Sequence, residues 1–299
     1  MKDIKQAVTN NIIASLEEGG VEPWVCPWIN TGENPMPYNF STGSAYNGIN
    51  ILLLWLSAMN KGFTRNGWLT FNQARALGGH IRKGEQGTRG IIYKMIDIQD
   101  SDNTSEKSST KRAYCNSFVL FNLDQIDGLE IPELVVPEMS GNEIAVEKFN
   151  NIANEYAERT GLTVQFGGDK ACYFSSFDLV RMPTTFTDGG DYVATYSHEI
   201  GHSTGHKKRL ARYENNGEKF DSMKDEYAHE ELVAEIFASF ISASLGVSGQ
   251  NKQHVSYISC WLKHLKNDKN FIFRAAGAAS KAFDLVMNST NKESQKKAA

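Results

Sequence analysis

Two histidines four residues apart, with a glutamate directly after the first, constrain this chain more than any other feature. The stretch reads TYSHEIGHSTGHKKRL over residues 195 to 210 and contains His198, Glu199 and His202. Residues four apart on an α-helix share one face, with Cβ atoms about 5–6 Å apart, so both imidazoles can reach one ion. The pattern therefore predicts a helix that supplies two metal ligands, whereas the alternative is an ordinary helix with two hydrogen-bonded histidines.

Glu199 extends this prediction from metal binding to catalysis. A carboxylate beside a metal ion can take a proton from water and deliver it to a leaving amine, which is the division of labour in metal-assisted peptide hydrolysis. The His-Glu-x-x-His pattern is typical of that chemistry. Glu199 is accordingly the predicted catalytic residue.

A tetrahedral site needs a third protein ligand, and the nearest histidine does not qualify. His206 follows His198 by eight residues, which is about 12 Å along a helix axis and too far for two bonds of about 2 Å to one ion. We expect His206 to cap the helix or to contact a ligand from outside. Lys208 stands where the metzincin pattern requires a histidine, which excludes that family.

A second helix offers carboxylates for the vacant position. Residues 225 to 246, DEYAHEELVAEIFASFISASLG, have an apolar stripe, and Glu231 and Glu235 lie one turn apart on the opposite face. One of them can ligate the ion while the other supports it. The alternative is a solvated acidic face, which the upstream His-Glu-x-x-His pattern makes the weaker interpretation.

A local concentration of positive charge stands out against a net charge of -4. Residues 61 to 94 contain seven lysines and arginines and a single acid, Glu85. The cations can neutralise phosphates, and the aromatic rings among them can stack on bases. The alternatives are a solvated basic face and rings packed in the core.

Composition also predicts how the chain is organised. We expect an α+β protein with two domains: a small N-terminal α/β domain over residues 1–129, containing a mobile polar loop at 97–113, and a second domain over 143–288. A Pro-rich and acidic linker at 130–142 separates them, and 289–299 form a tail. The four cysteines have no close pair, which favours reduced thiols.

The N-terminus lacks the apolar region of a signal peptide, and the first apolar run, Ile49 to Leu56, is too short to span a bilayer. We therefore expect a cytoplasmic protein that has no membrane partner.

The second half resembles known zinc peptidases. EELVAEIFASF is similar to the second zinc helix of thermolysin-like peptidases, and this resemblance implies that Glu231 is the ligand and Glu235 the supporting acid. The wider stretch HEIGHSTGHKKRL, YAHEELVAEIFASF and SYISCWLKHLKND resembles the zincin-like metallopeptidase domain of the ArdC antirestriction family. The implied cofactor is Zn²⁺, or another divalent cation such as Mn²⁺.

The N-terminal half resembles the partner domain of the same family in GGVEPWVCPW, TGSAYNGINILLLW, WLTFNQARALGGHIRKGEQGT and VLFNLDQIDGL. Such domains are regarded as binders of single-stranded DNA. The resemblance places DNA binding on the basic stretch, for which the candidate residues are Lys61, Arg65, Trp68, Phe71, Arg75, Arg82, Lys83 and Arg89. The family implies protection of incoming plasmid DNA from restriction.

Two functions remain open at this point. The first is a single-stranded-DNA-binding protein that has a working metallopeptidase domain with a protein substrate. The second is a DNA-binding protein whose zincin-like domain only supports structure or binds proteins. Retention of Glu199 favours chemistry, whereas an oxyanion stabiliser is not identifiable and His229, His254 and Tyr257 are its candidates.

Overall fold

The computed structural model describes residues 4–17, 35–99, 109–132, 142–214, 223–247 and 255–296. Within these ranges the chain is α+β, as predicted from the sequence. The N-terminal half combines helices with strands, two of which are long, and helices dominate the C-terminal half. Among the described residues, no helix is both long enough and apolar enough to cross a membrane.

The described residues of the N-terminal half form three α-helices, one 3₁₀ helix and six strands. In chain order the elements are α1 (Ile4–Glu17), β1 (Tyr38–Asn39), α2 (Ile49–Lys61), β2 (Gly67–Leu69), α3 (Phe71–Ala76), β3 (His80–Ile81), β4 (Thr88–Gln99), β5 (Ser109–Asn122), the 3₁₀ helix (Leu123–Gln125) and β6 (Ile126–Asp127). A four-stranded sheet has the order β1-β2-β5-β4, and β3 pairs with β6 in a separate ribbon. A capping box on Thr70, in which Thr70 and Gln73 bond reciprocally, starts α3.

The described residues of the C-terminal half form a three-stranded sheet and five helices. The elements are α4 (Asn142–Thr160), β7 (Thr163–Phe166), β8 (Cys172–Phe174), β9 (Leu179–Met182), α5 (Gly189–Ser203), α6 (Met223–Leu245), α7 (Val255–Asn267) and α8 (Phe271–Lys296). The sheet order is β7-β9-β8, with β8 at an edge and antiparallel to β9. The histidine-bearing helix α5 follows this sheet along the chain.

The predicted mobile loop at 97–113 is wrong at both ends. β4 pairs with β5 from Thr88 opposite Leu120 as far as Gln99 opposite Ser109, so 97–99 and 109–113 are strand. Polar composition suggested a loop, but a hairpin arm satisfies its backbone through the ladder whatever its side chains are. Residues 100–108 lie outside the described part of the chain.

The predicted tail also differs from the structure, because α8 continues to Lys296. The stretch is rich in lysine, glutamate and glutamine, which are good helix formers, so polarity alone did not mark its end. Residues 133–141 of the predicted linker and 297–299 of the tail lie outside the described ranges.

The two halves pack on each other through one continuous hydrophobic core. The Trp55 ring of α2 meets the Phe240 ring of α6 edge-on, with centroids 5.8 Å apart. Thr9 of α1 donates to the carbonyl of Lys269, at 3.0 Å. Such packing fixes the N-terminal elements against the helices that position the candidate site.

Candidate metal centre

The helix α5 brings the histidines to the protein interior. Asp188 caps it by accepting from the backbone N–H of Asp191 at 2.9 Å. Both helix-borne imidazoles lie toward α6, and His198 is only 7 % exposed. The helix therefore presents two ring nitrogens to one point, as the four-residue spacing predicted.

Close approach of α5 and α6 depends on Gly201. A Cβ added at this residue would lie 2.9 Å from Phe237 Cδ1 and 3.2 Å from Ala234 Cα. Both distances are shorter than ordinary carbon contacts, so a side chain would push the helices apart. Gly201 stands inside the His-Glu-x-x-His stretch, and its small size sets the distance between the histidines and the acids of α6.

Three side chains converge as the sequence and the resemblance predicted. Nε2 of His198 lies 3.0 Å from Nε2 of His202. The carboxylate of Glu231 spans the pair, with Oε2 3.4 Å from His198 Nε2 and Oε1 3.5 Å from His202 Nε2. Ligands held at about 2.1 Å around a tetrahedral ion stand about 3.4 Å apart, so these separations fit a divalent cation.

The other ring nitrogen of each histidine faces a carboxylate. His198 Nδ1 lies 3.0 Å from Glu235 Oε1, where the supporting acid was predicted. His202 Nδ1 lies 3.4 Å from Glu230 Oε1. A carboxylate at Nδ1 holds the proton there and leaves the Nε2 lone pair free for a metal.

Glu230 is itself held in place by Arg212. The guanidinium donates from Nε to Oε2 at 2.9 Å and from Nη2 to Oε1 at 2.6 Å. Tyr213 adds a hydrogen bond to Oε1 at 3.2 Å. Burial disfavours the charged carboxylate, but the Arg212 guanidinium outweighs burial and lowers the pKa of Glu230 to about 2.

The electrostatics of the cluster favour a positive charge. Burial alone lowers the pKa of His198, but the carboxylates of Glu235 and Glu231 outweigh burial and hold this pKa well above its usual value. Two imidazoles and a carboxylate are the donors that zinc and similar cations prefer. The residues present therefore fit a divalent cation.

The cluster opens into a cavity of about 830 Å³. Glu199 lines this cavity together with His198, His202 and Glu231, which is where a proton-transferring carboxylate is needed. The edge strand β8 contributes Cys172 and Tyr173 to the wall. A cavity beside the three candidate ligands distinguishes the cluster from a closed structural zinc site.

Sequence reasoning missed Glu230, Arg212 and Tyr213. Glu230 directly precedes the ligand Glu231, so only its three-dimensional contact with His202 reveals its role. Arg212 and Tyr213 lie in a turn after α5, where no periodic pattern points to them. The resemblance to two-helix zinc peptidases names one supporting acid, and this structure has two.

The structure also locates His206 and His229, for which other roles were considered. His206 Nδ1 lies 3.6 Å from Asp178 Oδ2, and among the described residues His206 is not part of the group that His198, His202 and Glu231 form. His229 lines a different cavity, which argues against an oxyanion role. The side chains of His254 and Tyr257 lie outside the described residues.

Candidate DNA-binding residues differ in what the structure leaves accessible. Trp68 is fully buried and packs edge-on against Phe63, so its ring has no free face for a base and that prediction is wrong. All three residues of β2 are buried, so the strand lies in the core on both faces. Phe71, by contrast, is 55 % exposed on α3, and Arg75 is exposed one turn later.

The candidate lysines and arginines differ in what surrounds them. Lys61 and Arg89 line one cavity of about 640 Å³ between α1, α2 and β4, and Lys83 is exposed. Arg65 contacts the carbonyl of Pro132 and lies 3.9 Å from Asp124.

Arg82 is held by structural contacts. It lies 3.1 Å from Glu85 and 3.5 Å from Asp127, and it donates to the carbonyl of Asp124. These contacts tie Arg82 to the β3–β6 ribbon.

Comparison with known proteins places both halves in one family. The model described as the N-terminal domain of anti-restriction factor ArdC matches residues 2–121, and that of a zincin-like metallopeptidase matches 151–278. The metal-free crystal structure of antirestriction protein ArdC from plasmid R388 has a TM-score of 0.78 and 37 % identity, over 97 % of this chain and 98 % of that one. The chain belongs to the ArdC antirestriction family.

Other relatives extend this assignment. The Mn(II)-bound structure of the R388 protein has a TM-score of 0.74 and 36 % identity, over 96 % of this chain and 97 % of that one. An uncharacterized protein y4eC of Sinorhizobium fredii (strain NBRC 101917 / NGR234) is 33 % identical over 94 % of this chain and 91 % of its own length. A DNA primase TraC of Escherichia coli is 33 % identical over 98 % of this chain, which spans 20 % of that primase.

Proposed function

We propose that this protein binds single-stranded DNA and protects incoming plasmid DNA from host restriction. Its C-terminal domain binds one divalent cation at His198, His202 and Glu231. The observation that carries the second statement is the convergence of two Nε2 atoms and one carboxylate, with separations of 3.0 to 3.5 Å, in an open cavity.

The proposed cation is zinc, because two imidazoles and one carboxylate with an open position form a common catalytic zinc set. The Mn(II)-bound structure of the R388 protein supports a divalent cation and keeps manganese as the alternative.

DNA binding is assigned to the N-terminal half. Lys61 and Arg89 at a shared cavity, together with exposed Phe71, Arg75 and Lys83, combine cations for phosphates with a ring for a base. Such contacts read the backbone and the π-faces of bases, so binding has little sequence preference.

The chemistry proposed for the metal domain is peptide hydrolysis. When bound, a divalent cation polarises a carbonyl group and lowers the pKa of water. Glu199 takes the proton from water and delivers it to the leaving amine. Glu235 and Glu230 keep the ligand rings oriented.

An active peptidase whose substrate is a host protein is the second candidate function. The position of Glu199 in the wall of an 830 Å³ cavity favours it, because a closed structural site has no use for such an acid. The edge strand β8 borders the same cavity, and on its outer side no described strand pairs with it, which suits pairing with an extended peptide.

Plasmid transfer into a restricting recipient separates the two functions. Glu199→Gln removes the proton-transferring group and leaves the ligands and the N-terminal half in place. The double variant Lys61→Gln with Arg89→Gln weakens DNA binding and leaves the metal domain unchanged. We expect the double variant to lose protection and Glu199→Gln to keep it. Loss of protection in Glu199→Gln, with metal content and DNA affinity intact, would make proteolysis the main function.

A further inference from the structure

A second large cavity lies where the two halves meet. It measures about 910 Å³ and lies within the size range of small-molecule sites. The start of α2 contributes Asn47 and Gly48, and the start of α8 contributes Phe273 and Gly277. The backbone N–H of Gly48 donates to Ser280 Oγ at 2.7 Å, so this hydrogen bond joins the two halves beside the cavity.

The described lining of this cavity is basic. Its ionisable side chains are Lys5, Arg212, His229, Arg274 and Lys281, and no carboxylate is among the described lining residues. Arg212 and Arg274 pair with Glu230 and Asp268, which lie outside the lining. Lys281 is exposed at the same cavity, and Lys5 donates from Nζ to Asn270 Oδ1 at 2.9 Å.

Cations in the wall of a cavity of this size attract an anion.

Gly277 leaves an open stretch of the cavity wall. A Cβ added at Gly277 would meet nothing within 4 Å among the described residues. The space over this helical residue is therefore open to an occupant of the cavity.

The wall also contains an aromatic ring. Phe273 is partly buried, and the ammonium of Lys5 lies 5.5 Å from its ring centroid. Cations beside an aromatic ring are the combination that holds the phosphate and the base of a nucleotide. Asn47 is exposed at the rim and can hydrogen-bond a sugar or phosphate oxygen.

We propose that this cavity binds a phosphate-bearing ligand, either a free nucleotide or a nucleotide unit of a DNA strand, against Lys281, Lys5 and the open face of Gly277. The site is distinct from the metal centre and from the DNA-binding residues of the N-terminal half. Arg212 lines it and also holds Glu230, so it borders both the cavity and the metal centre.

Calorimetric titration of the full chain tests the proposal with three probes: inorganic phosphate, deoxythymidine monophosphate and a ten-nucleotide oligo(dT). Gly277→Phe fills the cavity without changing its charge, and Gly277→Ala is its matched control. We expect Gly277→Phe to weaken at least one probe by about tenfold, while Gly277→Ala stays within about twofold of the wild type. If Gly277→Phe loses binding of the monophosphate, the ligand is a free nucleotide. If it loses binding of the oligonucleotide alone, the ligand is a DNA strand.

Lys281→Glu provides the second variant, since Lys281 is exposed and its replacement leaves the core untouched. It should weaken the same probe as Gly277→Phe. The double variant Lys61→Gln with Arg89→Gln should leave monophosphate binding unchanged, which separates this site from the N-terminal one. The proposal is overturned if the wild type binds none of the probes, or if neither Gly277→Phe nor Lys281→Glu changes any affinity.

Discussion

Arg212 and Glu230 form a two-point ion pair whose carboxylate also faces His202, a candidate metal ligand. The pair is largely buried, with Arg212 Nη2 2.6 Å from Glu230 Oε1, and the same oxygen lies 3.4 Å from His202 Nδ1. Arg212 thus connects the turn after α5 with the candidate metal centre.

We expect Arg212→Ala to damage both stability and metal binding. Glu230 would remain buried without its charge partner, which costs about 3–5 kcal/mol of unfolding free energy. Metal affinity should fall by about 10–100-fold, because the support for His202 is lost. Denaturant unfolding and metal titration measure the two effects. Unchanged metal affinity in folded Arg212→Ala would show that the contact does not orient His202.

Gly201 should tolerate no side chain, in contrast with Gly277. Gly201→Ala places a Cβ 2.9 Å from Phe237 Cδ1, and such overpacking costs about 1–3 kcal/mol. It also separates the histidines of α5 from Glu231, so metal affinity should fall. Gly277→Ala is the control, expected to be neutral or stabilising by up to about 1 kcal/mol. Equal stabilities of the two variants would contradict this account of the helix crossing.

Replacing Phe71 should affect DNA affinity, whereas replacing Trp68 should affect stability. Phe71→Ala removes an exposed ring, so single-stranded DNA affinity should fall by about 1–3 kcal/mol with little change in stability. Trp68→Ala empties a buried position and should cost about 3–5 kcal/mol of unfolding free energy. Fluorescence anisotropy with labelled oligo(dT) and thermal unfolding separate the two. Unaltered DNA affinity in Phe71→Ala would show that this ring does not contact DNA.

The salt dependence of DNA affinity measures how many phosphates the protein contacts. Each phosphate neutralised contributes about -0.7 to the log–log slope of affinity against salt. Lys61→Gln with Arg89→Gln should make the slope shallower by about 1.4. Lys266→Gln, on α7 and paired with Glu17, is a matched control that should leave the slope unchanged. An equal slope in both variants would show that residues other than Lys61 and Arg89 contact the phosphates.

Asp178 should set part of the acid stability. Burial raises its pKa, but hydrogen bonds from Arg209 and Tyr173 outweigh burial and hold the pKa below the ordinary value of 3.8. The stabilisation is complete above that value and is lost as the pH falls through the lowered pKa. Asp178→Asn keeps a residue that accepts the positive φ of 49°.

Asp178→Asn should cost about 3 kcal/mol at pH 7, because Arg209 is left buried without its counter-charge. The difference from the wild type should shrink below about pH 4. Denaturant unfolding across pH measures it. A difference that stays constant down to pH 2 would contradict the pairing.

The sequence predicted that His198 and His202 lie together because helix geometry turns spacing into position. The two residues share a face whatever surrounds them, and resemblance supplied Glu231 from the next helix as the third candidate ligand. The contacts of Glu230 and Arg212 were missed because an ion pair between a turn and a helix leaves no periodic signal. Trp68 was wrongly predicted to be accessible because the sequence does not show that all three residues of β2 are buried. The packing of α1 and α2 on the C-terminal helices depends on contacts between residues far apart in the sequence, which composition does not reveal.

Metal content after dialysis tests the central claim most directly. Wild type and Glu199→Gln should each retain about one divalent cation per chain, because Glu199 is not one of the three ligands. His202→Ala and Glu231→Ala should retain almost none while keeping their helical circular dichroism. If either ligand variant kept the wild-type stoichiometry, the cation would not be held by His198, His202 and Glu231.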